Sequence, residues 1–229
     1  MNNHMNITFK SENLLVDWIS FKFQYFDQIT ETELTNYLFK LGFNSYQESG
    51  RLAKPIKEPI LVSSKNKFEV LFVKDNSYWH GTLLNFSGVN ANFFYSIVQT
   101  KRMDWEIFSS GVLCRFDLYY SRNNKSQDKI PSKEFLQNCQ QELKQINKNV
   151  SLQKNRKGWI LKIGNRRSNQ YFRIYENKDF LKFEHEMKGK FLQKYHLLLV
   201  QNNLEELERR LSFHFFFSFG KLLPLHFSY

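Results

Sequence analysis

Between Tyr171 and Glu186 the chain sets two tyrosines, two cations and two carboxylates at alternating positions: Tyr171, Arg173, Tyr175, Lys182, Glu184 and Glu186. These residue types suit attack on a phosphodiester. A tyrosine nucleophile must lose its proton, and the charge building on phosphorus must be met by Arg, Lys or a divalent metal held by carboxylates. An unperturbed tyrosine titrates at about pH 10, so a neighbouring cation or metal is what makes the phenolate available. The plainer reading of the same residues is a solvated sheet face with an Arg–Glu pair across two strands, which is common in antiparallel sheets.

A β-hairpin is the element that positions them. The stretch from Gly164 to Gly189, GNRRSNQYFRIYENKDFLKFEHEMKG, predicts a strand ending at Tyr175, a turn over Glu176 to Asp179 and a return strand from Phe180 to Met187. Side chains alternate between the faces of a strand. A turn of two or four residues then sets odd positions of the first strand beside even positions of the second. One face carries the polar and aromatic residues named above. The other carries Phe172, Ile174, Leu181, Phe183 and Met187, with His185 among them as a core histidine.

The pattern G-x-R-x-S-x-x-x-x-R-I-Y-x-x-K, followed by K-F-E-x-E-x-K-G-K, resembles the Rep_trans family of replication initiators. It is carried here by Gly164, Arg166, Ser168, Arg173, Ile174, Tyr175, Lys178, Glu184, Glu186 and Gly189. Three upstream segments look like the same family: Asp17-Trp18-Ile19-Ser20-Phe21, Phe86-Ser87-Gly88 entering a helix, and Arg115-Phe116-Asp117. The resemblance runs from about Val16 to Leu199. Members start rolling-circle replication of small plasmids, with related reading frames in some plastid DNAs. The resemblance therefore implies an endonuclease and strand transferase that acts on an origin duplex and one of its single strands. Tyr175 would be the nucleophile, forming a 5′-phosphotyrosine link, with Tyr171 on the same face as the alternative. Arg173 and Lys178 would approach the scissile phosphate. Asp117, Glu184 and Glu186 offer oxygen ligands that suit Mg²⁺ or Mn²⁺, although each is equally placed to pair with Arg115 or Arg173. A homodimer is also implied. The chain departs from the family pattern in that Lys182 stands where Arg is usual and no second acid follows Asp117. A DNA-binding remnant that has lost the chemistry is the alternative.

Composition agrees with a nucleic-acid partner. The chain of 229 residues carries a net charge of +11 with 41% hydrophobic residues and 24 Phe, which combines a packed core with attraction to a polyanion. An AT-rich coding sequence would also enrich Lys, Asn, Phe and Tyr. Two basic stretches are candidates to track a DNA backbone: Arg166 and Arg167 in one turn, with Lys154, Arg156 and Lys157 expected nearby. Cys114 and Cys139 stand in no C-x-x-C pair, which argues against a zinc site and fits a reducing compartment. The N-terminus has no signal-peptide pattern. The apolar stretch from Leu211 to Tyr229 is broken by His214, Gly220, Lys221, Pro224 and His226, so no membrane contact is expected. Cytoplasm or plastid stroma is the expected compartment.

The rest of the chain predicts an α+β fold with an internal duplication. Each half reads strand, helix, three strands, helix, with Gly88 and Gly189 in equivalent places and Ser20 matching Asp117. The expected architecture is an antiparallel sheet with helices on one side, similar to a TATA-binding-protein-like saddle. The expected divisions are a loose N-terminus over 1–12, a first half over 13–105, a second half with the site over 106–203, and a C-terminal helix over 204–229. That helix is expected to lack its packing partners, as if the chain were truncated. Thr30 with Glu33 reads as a capping box, 43–58 as a loop, and Ile60 to Ser63 as a strand.

Overall fold

The computed structural model describes residues 6–8, 14–24, 27–49, 68–74, 81–100, 103–108, 110–123, 132–146, 148–177, 180–223 and 226–228. In chain order the elements are β1 (Asn6–Thr8), β2 (Leu14–Phe23), α1 (Gln28–Lys40), β3 (Phe43–Ser49), β4 (Phe68–Lys74), β5 (Thr82–Ser87) and α2 (Val89–Gln99). A 3-10 turn (Trp105–Phe108) precedes β6 (Gly111–Asn123), α3 (Ser132–Gln145), β7 (Val150–Lys154), β8 (Gly158–Ile163), β9 (Gln170–Asn177) and β10 (Phe180–Lys188). A second 3-10 turn (Gly189–Leu192) leads into α4 (Gln193–Val200), α5 (Leu204–Leu222) and β11 (His226–Ser228). The class is α+β. The chain forms two compact units: Val16–Phe116 with Gly189–Leu204, and Met1–Leu15 with Asp117–Lys188 and Glu205–Tyr229.

In the first unit the strands stand in the order β3-β4-β5-β2. β5 pairs antiparallel with β2, placing Ser20 opposite Asn85, and antiparallel with β4. Alternation along β2 sends Ile19, Phe21 and Phe23 into the core. Phe21 meets Phe94 and Phe108 at 5.9 and 5.2 Å between ring centroids, and Phe86 stacks on Phe94 at 4.1 Å. β3 lies in the region expected to be loop. Its polar sequence shows no apolar alternation, and its parallel pairing with β4 supplies the hydrogen bonds that propensity does not. The start of α1 also differs from expectation. Asp27, not Thr30, is the N-cap, because the Asp27 carboxylate accepts from the Thr30 backbone N–H at 2.8 Å. The strand expected over Ile60 to Ser63 lies outside the described residues.

In the second unit the order is β7-β8-β9-β10, with β6 beside β10. β7 is a strand the sequence pattern did not show; it forms an antiparallel hairpin with β8. The duplication therefore holds for the opening strand and the two that return beside it. It breaks further out, where β3 pairs parallel but β8 pairs antiparallel. The equivalence of Gly88 and Gly189 is structural: each ends the strand entering a helical segment with positive φ, 55° and 59°, a conformation costly for residues with a Cβ.

The apolar face of the second unit is covered by helices. α5 lays Leu207, Leu211, Phe215 and Phe219 inward at helical spacing, all buried. Phe219 meets Phe172 at 5.3 Å and Phe183 at 5.4 Å. This corrects the expectation of a helix without packing partners: the hairpin supplies them. α3 reaches the same face, with Lys133 Nζ 5.4 Å from the centre of the Trp159 ring. The expected looseness of 1–12 is corrected for Asn6–Thr8, which pairs parallel with β11.

Candidate functional site

The hairpin has the register its alternation requires. Lys182 stands opposite Tyr175, Glu184 opposite Arg173 and Glu186 opposite Tyr171. The strands extend to Asn177 and from Phe180, so the connection is two residues shorter than expected at no cost to the register. Lys178, in that connection, lies outside the described residues. On the opposite face Ile174, Leu181, Phe183, His185 and Met187 are fully buried.

Arg173 is the centre of the polar face. Its Nη2 lies 3.5 Å from Asp117 Oδ2 on β6 and 3.2 Å from Glu186 Oε2, and it donates to Glu184 Oε1. Asp117, Glu184 and Glu186 are at most 3% exposed. Carboxylates so far from water require a cation, and the planar guanidinium supplies several donors from one side chain. Two lysines complete the network: Lys182 Nζ lies 3.7 Å from Glu184 Oε2, and Lys188 Nζ pairs with Glu186 Oε1. Three carboxylates thus meet three cations. Burial pulls the Arg173 pKa down, but Glu184, Tyr175, Glu186 and Asp117 outweigh it and hold the pKa above its ordinary value. Lys188 stands in the K-F-E-x-E-x-K-G-K stretch, but the sequence reading gave it no role. Its even position after Glu184 and Glu186, still within the strand, is the signal that places it on this face.

The two tyrosines differ. Tyr171 is 6% exposed. Burial, with Glu186 and Glu184 adding to it, raises its pKa despite the opposing pull of Arg173 and Arg166. Tyr175 is half-buried and further along the same face. Lys182 Nζ lies 5.8 Å from the centre of its ring and 4.2 Å from that of Tyr119, which shares the face from β6. Tyr175 is thus the more accessible phenol, with Lys182 and Arg173 as neighbouring cations.

Among the described residues, no three His, Cys, Asp or Glu side chains are arranged to hold a metal ion. Asp117, Glu184 and Glu186 do converge, but on Arg173 Nη2. Their oxygens are the donors a hard cation prefers, yet a guanidinium stands at the point they share. As arranged, they do not fit Mg²⁺ or Mn²⁺.

The basic residues flank this face at both ends. Lys154, Arg156 and Lys157 are exposed around the β7–β8 turn, at the Tyr175 end. Arg166 and Arg167 are exposed in the β8–β9 turn, at the Tyr171 end. The expectation that the two stretches are close together is corrected: β8 separates them, and six residues of strand span roughly 20 Å. The second turn is pinned. Asn165 Oδ1 accepts from the Arg167 N–H at 2.9 Å, and Lys188 Nζ donates to the Arg166 carbonyl at 2.6 Å. Cys114 and Cys139 are free thiols whose burial pushes both pKa values up to about 12, so neither is a nucleophile at neutral pH.

No family model matches the chain, and no curated protein matches it. Among solved structures, it is similar to the rolling circle replication initiator protein from Geobacillus stearothermophilus, at 11% sequence identity and a TM-score of 0.48. The similarity covers 83% of this chain and 79% of that one. Among the described residues no helix is long and apolar enough to cross a membrane.

Proposed function

We propose that the second unit cuts one strand of DNA through Tyr175 to start replication at an origin. The observation that carries this reading is the contrast between the two tyrosines of the polar face. Tyr171 is buried and hard to ionise. Tyr175 is only partly buried, opposite Lys182 and beside Arg173. The resemblance of the R-I-Y motif to Rep_trans initiators supports the same residue. In the reaction, Tyr175 Oη loses its proton and attacks phosphorus, and a P–Oη bond forms as the P–O3′ bond breaks. The 3′ oxygen takes up a proton and leaves as a free primer end, while the 5′ phosphate stays on the tyrosine. The link keeps the energy of the phosphodiester, so the 3′ hydroxyl can reverse the step and reseal the strand.

Lys182 and Arg173 are cations that neighbour the phenol. Their role is to stabilise the phenolate and the charge on the transferring phosphate. The exposed bases at both ends of β8 hold the strand by its phosphates across the face. Homodimerisation and a rolling-circle mode come from the family resemblance. The rival reading is a DNA-binding remnant of such an initiator, and one observation favours it: every carboxylate of the cluster is engaged by Arg173.

The test is covalent capture. The full chain is mixed with labelled single-stranded DNA from both strands of its own replicon and Mn²⁺, then denatured in SDS. The reading predicts a DNA-linked band that Tyr175→Phe abolishes. Intact DNA binding without a band on any strand would select the remnant.

A further inference from the structure

We propose that the polar sheet face of the first unit takes an unpaired nucleobase of single-stranded DNA, stacked against the Trp18 ring and the Arg115 guanidinium. The proposal rests on the DNA-cutting reading only for the kind of polymer that reaches this face, and none of its residues takes part in the proposed reaction.

Trp18 shares a face of β2 with Ser20 and Lys22. It looks away from the core, where Phe21 and Phe86 meet Phe94 of α2. Arg115 of β6 lies over the Trp18 ring, with Cζ 4.4 Å from the ring centre. Both residues are half-buried and keep part of their surface in water. An indole and a guanidinium packed together offer flat surfaces on which unpaired bases stack, whatever their sequence. The ring is also held in place. Its Nε1–H donates to Ser20 Oγ at 2.6 Å, and Ser20 Oγ donates to Asn85 Oδ1 on β5 at 2.5 Å. Ser20 and Asn85 are 1% and 6% exposed, so these bonds are shielded from water. A ring already fixed loses little freedom when a base arrives. Charge favours the same occupant. Asn85 stands three residues before Gly88, as Glu186 stands three before Gly189, and Ser20 matches Asp117. Two acids of the second unit are thus replaced here by neutral residues, near the cations Arg115 and Lys22, so nothing at these two places repels a phosphate.

The experiment measures binding of labelled oligo(dT) by fluorescence anisotropy, with the full chain carrying Tyr175→Phe so that no strand is cut. An abasic oligomer of the same length keeps the phosphates and lacks the bases. The expected result is that adding Trp18→Leu weakens oligo(dT) binding by about fivefold or more and leaves binding of the abasic oligomer unchanged. Trp18→Phe, which keeps a ring, should lose less. Unchanged oligo(dT) binding by Trp18→Leu would overturn the proposal. So would an equal loss on both oligomers, which marks a structural role, or a parent chain that does not bind oligo(dT). If Trp18→Leu loses the far-ultraviolet circular dichroism of the native chain, Arg115→Gln replaces it and must weaken oligo(dT) binding more than abasic binding. The failure of this proposal is separable from that of the nicking reading. A chain that shows the Trp18-dependent base preference but forms no covalent adduct keeps the stacking site and loses the nuclease. A chain that forms the adduct but binds bases without regard to Trp18 loses the stacking site alone.

Discussion

Arg173 shows how one side chain changes what its neighbours are able to do. Three carboxylates on a sheet suggest a metal, and with Arg173 among them they form a closed ion network. Its strand partner Glu184 was evident from alternation, but the joint convergence of Asp117 and Glu186 on a single nitrogen depends on how β6 lies beside β10, which no local pattern encodes. His185 makes a second point at this scale. It is fully buried, stacks on Phe172 at 4.2 Å, and neither ring nitrogen has a hydrogen-bond partner among the described residues. Burial, with the nearby His214 adding to it, holds its pKa well below the ordinary value. The folded state therefore keeps His185 neutral where the unfolded chain takes a proton. Its contribution to stability is complete above about pH 6.5 and falls as the pH drops toward the folded value, at up to about 1.4 kcal/mol per pH unit. Chemical denaturation between pH 7.5 and 5 should show this loss in the wild type. His185→Leu should lose less over the same range, and an identical loss in both would refute the assignment.

At the scale of elements, the hairpin and α5 depend on each other. Phe219 is wholly buried and packs edge-on against Phe172 from β9 and Phe183 from β10, the strands whose other face carries the polar cluster. Phe219→Ala should destabilise the chain by about 3–5 kcal/mol, measured by urea denaturation, whereas Phe213→Ala, on the exposed side of the same helix, should cost little. The hairpin was legible because its two faces differ so sharply: Phe172, Ile174, Leu181 and Phe183 on one side, Tyr171, Arg173, Tyr175 and Glu184 on the other. β3 and β7 were not. β3 is mostly polar and β7 is only five residues long, and each is a strand because a neighbour offers backbone partners. α5 was legible as a helix, but not its partners, since contacts between residues such as Phe172 and Phe219 leave no local trace. The cap of α1 was misplaced for a similar reason. Asp27 and Thr30 both suit an N-cap, and the choice depends on which side chain meets which N–H.

The whole molecule carries +11, and part of that charge is organised. The duplication has an asymmetry with chemical consequences. In the first unit the paired position Ser20–Asn85 is a neutral hydrogen bond of 2.5 Å, whereas the acids Asp117, Glu184 and Glu186 gather in the second unit. The exposed bases at the two ends of β8 belong to the same unit. If both ends hold phosphates, Arg166→Gln with Arg167→Gln, and separately Lys154→Gln with Arg156→Gln, should each lower the slope of log K against log salt by roughly 1.4 for single-stranded DNA. A slope changed by only one pair would confine the contact to one end of the face.

In the proposed reaction Tyr175 becomes joined to DNA. The most direct test is to digest the covalent complex with protease and nuclease and locate the modified residue by mass spectrometry. The expected result is a nucleotide phosphate on Tyr175 in the peptide that contains Arg173–Ile174–Tyr175. A modification on Tyr171, or on any tyrosine of the first unit, would contradict it.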